Sequence, residues 1–154
     1  MAKLDVLAGV FRRYSEAHRQ FLEVMQRCCL KGWPDRKPEI ENACELQRLF
    51  NEQQALRFEY WVASGRSDEG AWVSVNSISR RLRQDWDPLE EQALTGSNAR
   101  YKEIAAEIER REAALDSDVI REPLDAARRD PEYVAALSSI QETLRQLDSQ
   151  LVAE

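Results

Sequence analysis

The sequence has few of the residues that interrupt regular helices. Only five glycines and five prolines occur among its 154 residues, whereas 43% of the residues are hydrophobic and 32% are charged. A many-stranded sheet needs more turn-forming residues than this. A chain of this length can bury roughly 70% of its unfolded surface around one core. We therefore predict a single helical domain over residues 1–154.

The sequence also lacks long apolar segments and a paired set of cysteines. No apolar run approaches the roughly 18 residues of a membrane span, and the N-terminus lacks the basic and apolar segments of a secretion signal. The three cysteines, Cys28, Cys29 and Cys44, cannot all be paired in disulfides. These features predict a cytoplasmic protein that does not insert into a membrane.

The charge of the chain is acidic, with a formal net value of −6. Such a charge repels nucleic acids and anionic membrane surfaces at long range. Nucleic acids and membranes are therefore not the expected partners, although a local basic patch could still bind nucleic acid.

Apolar residues recur at alternating steps of three and four along most of the chain, which places them on one face of a helix. The first stripe runs from Leu4 to Cys28 and ends before Gly32, and the second runs from Leu46 to Ala63. Because the segment between them is short, these two helices should form an antiparallel hairpin. A third helix is predicted over residues 72–86.

Two Asp-Pro pairs predict further helix starts, since Asp caps a helix N-terminus and Pro suits the first helical position. The helix after Asp87-Pro88 is expected to reach about Asp116, with a break or bend at Gly96. Pro123 lies in a connection that we expect to be irregular or one helical turn long, and the last helix follows Asp130-Pro131. The predicted fold is all-α, an antiparallel up-and-down helical bundle of four to five long helices.

His18 is the only histidine, and it stands within the apolar stripe of the first helix. If the hairpin turns near Asp35, residue 18 faces about residue 52, which places Gln53 in the same layer. A buried imidazole needs a hydrogen-bond partner, and a glutamine amide can supply one. We therefore predict a buried structural pair of His18 and Gln53. The alternative is phosphoryl transfer, since histidine phosphotransfer domains are also helical bundles, but the residues after His18 lack their Leu-Lys-Gly continuation.

The densest basic and aromatic patch of the sequence lies between residues 80 and 86. In an up-and-down topology its tryptophan would lie at the same end as Trp33 and the cysteines. Tryptophan and arginine are enriched at binding hot spots. The predicted interaction surface consists of Trp33, Arg80, Arg81, Arg83 and Trp86. A second aromatic group is expected at the opposite end and consists of Tyr60, Trp61 and Trp72.

The three cysteines are the only candidates for a soft-metal site. The adjacent pair Cys28-Cys29 does not have the C-x-x-C spacing of common zinc sites, and no histidine is near it in sequence. We therefore expect the cysteines to be small buried hydrophobes. The sequence predicts no metal site and no cofactor.

The sequence contains no convergent set of catalytic groups, so we predict no catalytic residue. The favoured function is a non-enzymatic protein–protein interaction module, such as an adaptor, inhibitor or assembly factor. Its partner would be another protein or a second copy of this chain. It would act through a helix face or through the Trp- and Arg-rich end.

Two alternatives remain open. Glu109-Arg-Arg-Glu112 and Glu122-Pro-Leu-Asp125 resemble the Glu-x-x-Glu and Glu-x-x-Asp motifs of all-α nucleotide pyrophosphohydrolases. The resemblance implies a magnesium-dependent nucleotide hydrolase, although Pro123 interrupts its second half.

The second alternative is a nucleic-acid-binding regulator. Residues 101–108 resemble the first helix of helix-turn-helix motifs. Nucleic acid would be bound through Arg80, Arg81 and Arg83.

Overall fold

The computed structural model describes residues 4–65 and 73–153 of the chain. The described residues form α1 (Leu4–Gly32), a short 3₁₀ helix (Pro34–Arg36), α2 (Lys37–Ala63), α3 (Val75–Asp85), α4 (Pro88–Ser97), α5 (Ala99–Ala113), α6 (Ser117–Ala127) and α7 (Pro131–Ala153). The predicted all-α class is confirmed. The predicted bundle of four to five long helices is not confirmed, because these residues contain seven α-helices. None of these helices is long and apolar enough to cross a membrane.

The three longest helices, α1, α2 and α7, form the centre of the fold. Helix α2 runs antiparallel to α1, since Phe11 packs on Phe58 at one end while Cys29 and Cys44 share a core at the other. Helix α7 also runs antiparallel to α1. Arg27 contacts Glu132 near the start of α7, and Arg13 donates a hydrogen bond to Gln150 near its end at 2.7 Å.

The shorter helices pack around this centre. Helix α5 lies antiparallel on α2, with the Arg57 side chain bonded to the Tyr101 hydroxyl at 2.8 Å and the Asn42 amide bonded to the Arg111 carbonyl at 3.1 Å. Helix α3 packs against α1, α2 and α7 at the end of the molecule where α2 finishes. Helix α6 covers the opposite end, where the cysteines lie.

The break predicted at Gly96 occurs two residues later, at Asn98. The Asn98 side chain accepts a hydrogen bond from the Tyr101 backbone N–H at 3.0 Å, which caps α5. Asn is among the best N-cap residues, so it fixes the boundary between α4 and α5 more strongly than glycine does. The third helix likewise begins after a cap, Ser74, and not at residue 72.

The connection around Pro123 differs from the prediction, because it forms the 11-residue helix α6. Proline has no N–H to donate to the carbonyl four residues earlier, so the Val119 carbonyl loses its helical partner. The Arg36 side chain donates a hydrogen bond to that carbonyl at 3.2 Å. The helix therefore tolerates its internal proline because a distant residue replaces the missing donor.

Arg36→Ala is expected to lower the free energy of unfolding by about 1 kcal/mol, the typical net value of one hydrogen bond. In a Pro123→Ala background the loss should be smaller, because alanine at that position supplies the backbone donor that Pro123 lacks. Urea denaturation of the four proteins of this double-mutant cycle measures the coupling. An equal loss in both backgrounds would show that the Arg36 side chain does not replace the backbone donor that Pro123 lacks.

The aromatic side chains gather differently from the prediction. Trp86 packs against Tyr60 and Trp61, with ring centroids 6.0 Å away in both cases, while Trp33 packs with the cysteines at the other end. Trp72 lies outside the described residues. The predicted placement of Trp86 beside Trp33 is wrong because α3, with 11 residues, is far shorter than α2, with 27. At about 1.5 Å per residue, α3 cannot return the chain to the opposite end.

Candidate functional site

A continuous groove crosses the middle of α2. Its floor is made by Gln47, Asn51 and Gln54, which lie on one face of the helix because they are four and three residues apart. Two adjoining hollows of about 540 and 410 Å³ share these three residues and Arg83. Because the hollows share their floor, we treat them as one site and name it the polar groove.

Three further helices form the walls of the polar groove. Helix α1 contributes His18, and α5 contributes Ile108 and Glu112. Helix α3 contributes Arg80 and Arg83, which are both exposed. The groove is therefore bounded by residues from four helices that are distant in sequence.

The packing of α3 fixes the position of its two groove arginines. Val75, Ile78 and Leu82 are fully buried and attach one face of α3 to the core. The start of the helix is held by the Val75 backbone N–H, which donates to the Asp148 carboxylate of α7 at 2.9 Å. Since the apolar face points inward, both groove arginines of α3 remain at the surface beside the groove.

The polar groove carries unmatched positive charge. Most arginines of the described residues form an ion pair with a carboxylate, but Arg80 and Arg83 form none there. Glu112 is the only acidic side chain among the described residues that line the groove. The groove therefore favours an anion, although the whole chain has a net charge of −6.

His18 forms its hydrogen bond inside the polar groove. Its Nδ1 lies 2.5 Å from the Asn51 amide nitrogen, so the neutral ring accepts this bond and carries its proton on Nε2. Burial lowers the pKa of His18, which keeps the ring neutral at pH 7. The predicted partner, Gln53, is buried and lines the larger hollow of the groove, but it lies about 200° around the helix from Asn51. The pairing is thus with Asn51, and His18 is half-buried and not fully enclosed.

A network of polar side chains supports the outer wall of the groove. The Oε2 atom of Glu91 accepts hydrogen bonds from Arg57 at 3.0 Å, from Trp86 at 2.8 Å and from the Tyr101 hydroxyl. The Arg57 guanidinium also lies 5.0 Å from the centre of the Trp86 ring, within cation–π range. These contacts attach α4 and α5 to α2 beside the groove.

Of the five residues predicted as an interaction surface, only Arg80 and Arg83 line the groove. Arg81 forms an ion pair with Asp85 at 2.9 Å and does not line it. Trp86 belongs to the aromatic cluster described above, and Trp33 lies at the other end of the molecule. The three amides of the floor were not predicted as site residues. The sequence feature that could have revealed these amides is a stripe of polar residues at helical spacing on α2, a helix that packs against several neighbouring helices.

The cysteines lie in a buried cluster, and one of them approaches two carboxylates. Burial raises the pKa of Cys29 to about 11 and that of Cys44 to about 12, so both remain protonated thiols at pH 7. The Cys28 sulfur lies within 4.8 Å of carboxylate oxygens of Asp130 and Glu132. Both carboxylates, however, already pair with the Lys31 ammonium, at 3.1 and 3.0 Å.

The acidic residues that resemble a magnesium site are dispersed. Glu109, Glu112, Glu122 and Asp125 are all exposed. In the described part of the chain they do not bring three ligand atoms within 4.8 Å of one another. Asp125 instead forms a surface ion pair with Arg128 at 3.3 Å.

A comparison of the chain with protein-family models, with curated proteins and with solved structures finds no match.

Proposed function

We propose that this chain is a non-enzymatic protein-interaction module whose polar groove binds an acidic segment of a partner protein. The observation that supports this is the pair Arg80 and Arg83, which has no carboxylate partner among the described residues. An aspartate or glutamate of the partner would form charge-assisted hydrogen bonds with these guanidinium groups. Such bonds are stronger than those between neutral groups.

The floor of the groove suits an extended peptide backbone. Gln47, Asn51 and Gln54 each carry one carbonyl acceptor and one NH₂ donor group. An extended chain has free N–H and C=O groups to pair with such amides, whereas the backbone groups of a helix are already paired. Helices bind instead through apolar grooves. The polar floor therefore favours an extended acidic segment.

The site supports binding and not catalysis. The side-chain hydrogen bond of His18 within the described residues goes to the Asn51 amide, which is not a nucleophile. A general base needs a free lone pair that can reach the proton it removes. In His18 the Nδ1 lone pair accepts from Asn51, and Nε2 carries the ring proton. Nucleic-acid binding through the three arginines of α3 is also less favoured, because Arg81 is paired with Asp85 and the three do not form one basic surface.

The proposal predicts that acidic peptides bind in a manner that depends on the two groove arginines. The probe is a pool of acetylated and amidated eight-residue peptides with two aspartates at varied spacing in a serine and alanine background. In NMR titrations we expect Arg80→Gln with Arg83→Gln to weaken binding roughly tenfold, since exposed ion pairs contribute up to about 1 kcal/mol each. A matched pool with asparagine in place of aspartate should bind no better than background.

Arg129→Gln is the matched control for this experiment. Arg129 is exposed and forms no ion pair within the described residues, but it does not line the groove. Its substitution should leave peptide binding unchanged. Failure of the aspartate pool to bind, equal binding of the two pools, or an equal loss in the control would overturn the proposal.

A further inference from the structure

A second, apolar hollow adjoins the polar groove. It has a volume of about 180 Å³ and lies between α1 and α7. Five large aromatic or aliphatic side chains line it, namely Tyr14, Phe21, Leu137, Ile140 and Leu144. We name this feature the apolar hollow.

The apolar hollow and the polar groove share a wall. Tyr14 and His18 line both of them, and their ring centroids lie 5.7 Å apart along α1. A chain segment that crosses this wall therefore meets the arginines of α3 on one side and the aliphatic side chains of α7 on the other. The two surfaces are continuous and differ in chemistry.

The apolar stripe of α7 is fully buried at its C-terminal end and only half-buried in its middle. Leu147 and Leu151 are buried under the core that includes α3, with 5% and 4% of their surface exposed. Leu137, Ile140 and Leu144 belong to the same stripe, but they remain half-buried. Because α3 is short, no described element covers the middle of α7 above the hollow.

The hollow has the size of one large side chain. A cavity of roughly 150 Å³ lined by Leu, Ile and Phe binds benzene. The apolar hollow, at about 180 Å³ with a similar lining, can therefore take one Leu, Ile or Phe side chain. It is too small for a helix.

We infer that the apolar hollow binds an aliphatic or aromatic side chain of the same partner segment whose acidic group contacts Arg80 and Arg83. The inference rests on the proposed function and specifies its ligand. The recognised segment combines an acidic residue with a large apolar one, on either side of the wall made by Tyr14 and His18. A run of acidic residues alone would use only half of the surface.

Peptide pools that differ only in the apolar residue test this inference. The first pool is the aspartate pool described above, and the second replaces one background residue at varied positions by Leu or Phe. The third pool keeps Leu or Phe and replaces aspartate by asparagine. We expect the second pool to bind the wild-type protein roughly tenfold more tightly than the first, as burial of one large apolar side chain allows, and the third to bind weakly.

Leu137→Gln should remove the gain of the second pool and leave the first pool unaffected. Leu137 lines the apolar hollow but not the polar groove. Val134→Gln is the matched control, because Val134 is 50% exposed on the same helix and does not line the hollow. Leu144→Ala provides a second variant should Leu137→Gln lose its helical circular dichroism.

The outcomes separate this inference from the proposed function. Equal binding of the first two pools, with the dependence on Arg80 and Arg83 retained, would overturn the inference and leave the proposed function intact. Tight binding of the third pool, which lacks aspartate, with no dependence on Arg80 and Arg83 would also overturn the inference. The hollow would then bind an apolar side chain without any acidic contact. Failure of every pool to bind would overturn both.

Discussion

Phe58→Ala is expected to lower the free energy of unfolding by about 3–5 kcal/mol. Phe58 is 1% exposed, and its ring centroid lies 6.0 Å from that of Phe11. The same core contains Val75, Ile78 and Leu82, so the Phe58 ring joins α1, α2 and α3. Its removal leaves a cavity that the surrounding helices can fill only in part. Urea denaturation followed by circular dichroism measures the loss.

Leu89→Ala is the control for this substitution. Leu89 is also a large hydrophobic residue on a helix, but it is 74% exposed. Its truncation should change the free energy of unfolding by less than about 0.5 kcal/mol. A comparable loss in the two variants would contradict the assignment of the core. Because this core holds α3 in place, it also fixes Arg80 and Arg83 beside the polar groove.

Glu91→Ala is expected to lower the free energy of unfolding by about 2–3 kcal/mol. The substitution leaves the Arg57 guanidinium, whose side chain is 20% exposed, without its carboxylate. It also removes the acceptor of the Trp86 indole N–H and of the Tyr101 hydroxyl. Water can replace part of these bonds because the Glu91 side chain is 34% exposed, so we place the loss below that of a fully buried ion pair. Thermal and urea denaturation measure it.

Glu103→Ala is the matched control on α5. The Glu103 side chain is 73% exposed and its ion pair with Arg100 has a distance of 4.0 Å. An exposed pair of this kind contributes little, so the expected change is below about 0.5 kcal/mol. If both substitutions destabilise the protein equally, the network around Glu91 does not have the role that we assign to it.

Acidification provides a second measure of the Glu91 network. Burial alone would raise the pKa of Glu91, but hydrogen bonds from Tyr101 and Trp86 and the charge of Arg57 outweigh it and lower the pKa. The contribution of the carboxylate is therefore complete at neutral pH and is lost as the pH falls below about 4.5. The difference in stability between the wild type and Glu91→Gln should shrink over that range. Other paired carboxylates titrate in both proteins and cancel in the comparison.

The proposed interaction combines long-range repulsion with short-range attraction. A chain with a net charge of −6 repels an acidic partner at a distance, whereas Arg80 and Arg83 attract its carboxylates at contact. Salt screens charges that are farther apart than a Debye length, which is about 8 Å at physiological ionic strength. Contacts inside the groove are shorter than this. The apolar hollow adds an attraction that does not depend on charge.

The candidate site was only partly predictable from the sequence. The cluster of arginines before Trp86 predicted an interaction surface, and the structure places Arg80 and Arg83 beside the polar groove. The sequence could not show that Arg81 would pair with Asp85 or that Trp86 would pack in a core. For His18 the estimated register was one residue away from Asn51, but a shift of one residue turns a helix by about 100° and changes the partner.

The sequence alone determined the helical class and several helix starts, because these depend on contacts between residues that are close together in the chain. The Asp87 side chain caps α4 by accepting a hydrogen bond from the Glu90 N–H at 2.9 Å, and the Asp130 side chain accepts one from the Glu132 N–H at 2.9 Å at the start of α7. Such contacts join residues that are neighbours in the chain, so they leave a signature in sequence. The apolar stripes at steps of three and four are equally local.

The tertiary structure alone decided the features that bring distant residues together. Helix α6 keeps an internal proline because Arg36, 83 residues before Val119, supplies the missing donor. The polar groove exists because α3 is held against α2 by side chains from α1 and α7. No described element covers the apolar hollow, because α3, with 11 residues, packs at the end of the molecule where α2 finishes. These outcomes depend on the lengths and packing of separate helices, which no local pattern in the sequence encodes.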